Sequence, residues 1–333
     1  MLEQILVTAR SNPHVDPVIS VWGWEISVYL FFGGLTAGIM LFAAIMLLLR
    51  REAEAPFAVN RLALLGPIAL SLGMTTLFMD LSVKLHVFRF YTTFEPTSPM
   101  SYGAWILILV YPVSILQILS TLRPGFPMLA GLLDDQRWGR AVLDRCERHR
   151  RLIAWLTIPI AVGLGIYTGI LLSAFSARPF WNSGLLGPLF LVSGLSTAAA
   201  LTALFARETG ERHLFTRLDL GLILVELALV ALLLINLATG PARQLEAVAM
   251  LFGGSYTFLF WGLFVTLGLL IPLLIEFGEL RGAVGRAALL GPVLVLLGGY
   301  MLRVVAVDLG QETTWVEYTP EYNTVLLQRL TDE

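Results

Sequence analysis

The chain has a single cysteine, Cys146, in 333 residues. Neither a disulfide framework nor a cysteine-ligated zinc or iron–sulfur centre can be assembled from it alone. Charge is equally scarce: Asp, Glu, Lys and Arg make up 14% of the residues, against about 25% in ordinary soluble domains. The net charge of −2 gives no basic excess for nucleic acid. Only four histidines occur, His14, His86, His149 and His213, and no two fall within apolar runs at levels suited to bis-histidine haem ligation. There is no Walker A sequence and no GxGxxG opening a helix. The first residues, MLEQILVTARSNPHVDP, lack the basic start of a signal peptide, and the first long apolar run begins only near Val18.

What the chain has instead is apolar length. Hydrophobic residues make up 57% of the sequence, and the mean hydropathy is +0.78. A membrane span needs about 20 apolar residues. About eight such runs are present, near Ile19–Leu49, Ala58–Met79, Tyr102–Leu122, Leu152–Phe175, Leu185–Ala206, Phe215–Ala238, Val248–Phe277 and Ala287–Val307. The runs are continuous rather than alternating. Lipid offers no partner to an open strand edge, so the spans are expected to be helices. The fold class is therefore an all-α integral membrane protein. Two four-helix bundles, 19–175 and 185–307, are expected inside one membrane domain of 19–307. A short segment, 1–18, precedes it, and an acidic tail, 308–333, follows it.

Cations set orientation through the positive-inside rule. The loops reached after odd-numbered spans hold 15 of the 22 basic residues, seven of them in the 123–151 loop. The other side holds Arg10, Lys84, Arg89, Arg178, Arg243, Arg303 and Arg329. Both termini are thus expected outside, with 123–151 a solvated basic loop in the cytoplasm. The tail carries Asp308, Glu312, Glu317, Glu321, Asp332 and Glu333 among Trp315, Tyr318 and Tyr322; it is either a partner-binding surface or a frayed end. Small residues, Gly33, Gly34, Ala37 and Gly38 in the first span, Gly194 and Ala198–Ala200 in the fifth, and Gly298–Gly299 in the eighth, mark expected close helix contacts.

Ionisable groups inside spans are costly and point to function. Asp80, Lys84, His86 and Arg89 crowd one end of the second span. If that helix continued, Asp80 and Lys84 would pair at i,i+4. Two-electron quinone chemistry moves two protons, and a carboxylate or histidine at the membrane edge can pass them to water. The alternative is an internally paired loop that only sets topology. Glu25 and Tyr29 share a face at the start of the first span, and Tyr167 lies in the same half of the fourth. Glu226 stands mid-span in the sixth, either as a protonated acid bonded to a neighbouring helix or as a proton relay.

Several segments together resemble the NrfD/polysulfide-reductase (PsrC-like) membrane subunits of prokaryotic respiratory complexes. They are Trp22-Gly-Trp-Glu25 with Tyr29-Leu-Phe-Phe-Gly-Gly-Leu-Thr-Ala-Gly38; Met79-Asp80-Leu; Phe94-Glu-Pro-Thr-Ser-Pro-Met-Ser-Tyr-Gly-Ala-Trp105; Tyr167-Thr-Gly-Ile-Leu-Leu-Ser173; Arg178-Pro-Phe-Trp-Asn182; Leu189-Phe-Leu-Val-Ser-Gly194; and Gly298-Gly-Tyr-Met-Leu-Arg303. They run in family order along nearly the whole chain. The resemblance implies eight helices in two bundles in the prokaryotic plasma membrane, with no haem and no iron–sulfur cluster in this chain. It implies a menaquinone or ubiquinone pocket near the outer face. The implied partners are a four-cluster iron–sulfur, ferredoxin-like subunit and a molybdopterin catalytic subunit, or in some complexes a hydrogenase or multihaem cytochrome. Glu25, Tyr29, Asp80 and Tyr167 are the quinone-site positions carried over. His86 is added on chemical grounds, with Asp80, His86 and Glu226 as proton-transfer candidates. Many relatives follow the Asp-Leu element with Gly and Pro. Here Ser82-Val83-Lys84 follows, so the second helix is expected to run on further. The rival reading is a redox-coupled proton translocator or transporter built on Glu226, Asp219 and Glu276; a third is a purely structural anchor.

Overall fold

A computed structural model describes residues 22–176, 178–283 and 289–313, apart from the Arg243 side chain. Among them every regular element is helical. Eight helices are long and apolar enough to cross a membrane.

In chain order the elements are α1 (Trp24–Leu48), α2 (Pro56–Asn60), α3 (Leu65–Asp80, led by a 3₁₀ turn at Leu62–Leu64), α4 (Arg89–Thr92), α5 (Pro99–Ser120), α6 (Leu122–Gly125), α7 (Pro127–Asp134), α8 (Arg137–Arg148), α9 (Arg150–Ser173), α10 (Leu186–Phe205), α11 (Thr209–Ala238), α12 (Ala242–Leu251), α13 (Phe258–Leu280) and α14 (Leu290–Glu312). Proline opens α2, α5 and α7, where its missing N–H would have no helical partner in any case. Pro112 and Pro159 lie inside α5 and α9. The first 13 residues of α13 wind as a π-helix, Phe258–Leu270, before α-geometry resumes.

In chain order the spanning helices form a first group, α1, α3, α5 and α9, and a second, α10, α11, α13 and α14, within one contact network. The groups join where α1 and α9 meet α10, and α1 meets α14. α1 is the hub: 83% of its most apolar window is buried, against 28% for α11, which turns most of its surface outward. The small residues sit where backbones touch. A Cβ on Gly38 would collide with the Gly194 carbonyl and Ala198, and one on Gly298 would meet Gly268. Close backbone approach is what holds helices together when lipid removes the hydrophobic drive.

Two membrane faces result. The terminal face carries residue 22, the end of α3, the 81–98 segment and the end of α14. The loop face carries 49–61, 121–149 and the α10–α11 turn. Polar contacts tie each face together. On the terminal face, Gln311 bonds the Trp22 backbone at both N–H (2.8 Å) and C=O (2.9 Å). Arg178 donates to the carbonyls of Gln311 and Thr313, capping α14. On the loop face, Arg150 pairs with Glu52 and Arg212 with Glu279.

Several expectations need correction. The helix of the second span does not run on: α3 stops at Asp80 and Leu81 is extended, with ψ 123°. Only a 3₁₀ turn, Lys84–His86, follows, so Asp80 and Lys84 are not helical neighbours. Ser82 and the β-branched Val83 favour leaving the helix there. The seventh span begins at Phe258 rather than Val248. Gly253, at φ 119°, and Gly254 separate it from α12. The 123–151 loop is helical, as α6, α7 and α8. Asp308 and Glu312 belong to α14, not to a tail. Arg303, counted above among the orienting cations, is fully enclosed within α14 at 1% exposure. The remaining tail residues, including Trp315, Tyr318 and Tyr322, lie outside the described residues, as do Arg10, His14, Arg286 and Arg329.

Candidate functional site: a tyrosine-lined cavity and a row of buried acids

A cavity of about 480 Å³ opens at the terminal end of the first helix group. Cavities of this size accept drug-sized ligands. Trp22 stands just before α1, which supplies Ile26, Tyr29 and Leu30; α3 supplies Met74, Leu77, Phe78 and Asp80. The segment after α3 adds Val87, Phe90 and Tyr91. α5 adds Met100, Ala104 and Leu107, and α9 adds Tyr167, Leu171 and Leu172. Phe78 and Phe90 are themselves exposed, so one wall lies at the protein surface.

The walls are apolar apart from three phenols, one carboxylate and the Trp22 indole. Tyr29 and Tyr167 are both buried, and each lies within electrostatic reach of Tyr91. Gly103 explains how Tyr167 fits: a Cβ there would overlap the phenol ring. Burial pushes the Tyr91 phenol up, and Tyr111 adds to the effect. Tyr91 is therefore a hydrogen-bond donor at neutral pH. Asp80 occupies the last turn of α3, where a carboxylate meets the negative end of the helix dipole. Such a local misfit marks functional positions more often than scaffold.

The five expected site residues divide. Tyr29, Asp80 and Tyr167 line the cavity together. Glu25 does not: its carboxylate turns back over Gly23, though it remains electrostatically close to Asp80. His86 is exposed on the 3₁₀ turn, stacked with Phe88 at 6.2 Å, and is not part of the lining. The sequence alone assigned no site role to Tyr91, which comes from the one-turn helix α4, or to Trp22. Trp22 forms the rim, packed against Phe175 (5.5 Å) and Trp181 (5.3 Å). Trp181 in turn donates to the Ala306 carbonyl.

The second group holds a different constellation. Arg303 donates to Ser193 Oγ (2.5 Å) and to the carbonyls of Gly299 and Phe190. It presses against α1 at Gly34, where a Cβ would stand 2.9 Å from its guanidinium. Glu226 faces both Arg303 and Ser193. Two turns towards the loop face, Asp219 accepts from Ser196 at 2.6 Å and lies within electrostatic reach of Glu276. Glu279 follows, paired to Arg212 at 2.7 Å. Glu226, Asp219 and Glu276 are each at most 1% exposed. Among the described residues no cluster of histidine, cysteine or acid suits a metal ion.

Comparison with known proteins agrees with this architecture. Residues 10–314 match the family described as "Polysulphide reductase, NrfD". Protein NrfD of Escherichia coli K12 is 32% identical over 325 residues, covering 92% of this chain and 99% of that protein. The C chain of the polysulfide reductase of Wolinella succinogenes is 28% identical over 305 residues, covering 87% and 94%. The C subunit of the selenate reductase of Mesobacillus selenatarsenatis is 26% identical over 312 residues, covering 83% and 72%. An eight-span helical protein matched along nearly its whole length belongs to the NrfD/polysulphide reductase family of membrane proteins.

Proposed function

We propose that the chain is the quinone-reactive membrane anchor of a respiratory reductase complex, with menaquinone or ubiquinone as its substrate. The observation that carries this reading is the cavity: an apolar chamber at one membrane face, with phenol donors and one carboxylate converging in it. A quinone ring needs flat apolar walls and donors for two carbonyl oxygens, and its isoprenoid tail needs a side open to lipid. Tyr29, Tyr91 and Tyr167 are placed to donate to those oxygens. Asp80 is placed to take a hydroxyl proton from quinol and release it to water at the terminal face. The two electrons pass to or from an iron–sulfur partner subunit docked on that face. Relatives that are named as members of multi-subunit polysulfide and selenate reductases support assembly with catalytic and electron-carrying subunits. The cation bias supports a terminal face outside the plasma membrane.

The test is quinone-linked turnover of the intact complex carrying Asp80→Asn or Tyr167→Phe. Removing a proton-transfer group costs about 100-fold or more, so Asp80→Asn is expected to lose nearly all activity. Unchanged turnover in both variants rejects the site.

A second reading rests on the buried acids. Glu226, Asp219, Glu276 and Glu279 form a row from mid-membrane to the loop face. Such a row suits redox-coupled proton translocation. Asp219→Asn in proteoliposomes is then expected to abolish proton uptake while quinol oxidation continues. An unchanged proton-to-electron ratio rejects this reading.

A further inference from the structure

The chamber of about 480 Å³ has room for a quinone ring and the start of its tail. A long isoprenoid chain has to leave through one wall, and exposure identifies it. Tyr29 and Leu30 on α1 and Tyr167 and Leu172 on α9 are buried. Phe78, Phe90 and Met100 are 44%, 40% and 42% exposed and line the same chamber. They stand in the last turn of α3, on α4 and in the first turn of α5. The opening therefore lies between α3 and α5, with α4 beside it on the terminal face.

Packing explains the gap. Gly73 brings α3 onto α1, where a Cβ would stand 3.0 Å from Phe32. Gly103 brings α5 onto the Tyr167 ring of α9. Each helix is drawn to a different partner, and α3 and α5 touch each other little. Among the described residues one side-chain hydrogen bond joins them, between Tyr111 and Ser71 at 3.2 Å. Ser71 gives its only hydroxyl proton to the Pro67 carbonyl at 2.7 Å, so the Tyr111 phenol is the donor. Measured from the terminal face, Met74 and Leu107 are the deepest lining residues on the two helices. Ser71 and Tyr111 lie one helical turn deeper still. The bond thus closes the gap just beneath the chamber.

We propose that the gap between α3 and α5 is the lipid portal of the chamber, and that the Tyr111–Ser71 bond is its sill. The proposal rests on the quinone reading of the chamber. The tail leaves between Phe78 and Met100 and enters the bilayer above the sill. Below it the helices are pinned together, and the tail is kept out of the protein interior. Lipid offers no water to compete for the bond. Tyr111 is then a positioning residue for the tail that never meets the ring.

Two measurements on the intact complex test this. The first uses a short-chain quinone with a diazirine on its second isoprene unit, irradiated with and without excess unlabelled quinone. Labelling that the excess suppresses is expected on α3 and α5 around Phe78 and Met100. Suppressible labelling confined to other helices overturns the portal and leaves the quinone reading standing. Labelling that excess quinone does not suppress overturns both. The second measurement compares a long-tailed with a tail-less quinol in proteoliposomes carrying Tyr111→Phe or Ser71→Ala. KM for the long-tailed quinol is expected to rise about threefold or more, as for loss of one hydrogen bond between membrane helices. Turnover is retained, and KM for the tail-less quinol is unchanged. A shift as large with the tail-less quinol would make the bond merely structural and overturns the sill. So does an unchanged KM with both quinols.

Discussion

The two helix groups treat polar atoms in opposite ways. In the first, Tyr29, Tyr91, Tyr167 and Asp80 surround open space at one membrane face. In the second, Arg303, Glu226, Asp219 and Glu276 are enclosed by packed helices, with Arg303 bonded to Ser193 and backbone carbonyls and Asp219 to Ser196. A molecule can enter only where donors are held apart by packed scaffold. A proton needs no more than a row of touching groups. The first arrangement suits a ligand and the second does not, and α1 is common to both, lining the cavity at Tyr29 and meeting Arg303 at Gly34.

The contrast breaks most readily in the second group. Arg303→Leu strands Glu226 without its facing cation. Arg303 also bonds Ser193 Oγ and two carbonyls, and leaving buried polar groups unpaired costs about 1–3 kcal/mol each, so thermal unfolding in detergent is expected to show a large loss. Arg303→Leu combined with Glu226→Leu should recover much of it. A double variant as unstable as the single one would show that the two are not partners. In the first group, Gly103→Ala drives a methyl into the Tyr167 ring. Overpacking costs about 1–3 kcal/mol, here appearing as roughly tenfold weaker quinone binding in a titration. Normal affinity would remove Tyr167 from the cavity wall.

Smaller effects sharpen the boundary between the groups. Gln311→Leu deletes both bonds to Trp22, each worth about 1 kcal/mol. A KM for quinol raised a few-fold with turnover retained is the expected signature, because α14 then fails to hold the rim. His86→Gln should change turnover by about twofold at most, as for exposed substitutions in general. A loss matching that of Asp80→Asn would instead place His86 on the proton route.

Hydropathy made the spans legible because a lipid-crossing helix has to be apolar from end to end. The tight contacts were legible too, since only glycine and alanine let α1 approach α10. What hydropathy cannot report is where a helix stops short of the run that contains it. Gly253–Gly254 breaks the seventh run, and Leu81 ends the third helix while the sequence stays mixed. Nor can periodicity bring Tyr91, on the one-turn helix α4, into a cavity walled mainly by four long helices. Arg303 was misread for a physical reason: a cation near a span end counts as a topological signal unless something buries it. Ser193 and the Phe190 carbonyl do so from another helix.

The clasp between Gln311 and Trp22 joins positions 289 residues apart. Trp22 emerges from the ribosome ahead of its holder, by roughly 15–60 s at ordinary rates of synthesis. During that interval the early helices can insert and pair, but the rim of the cavity has nothing to fix it. A chain truncated before α14 would therefore carry every lining residue and still lack a finished chamber, so synthesis of that helix acts as the licence for the site.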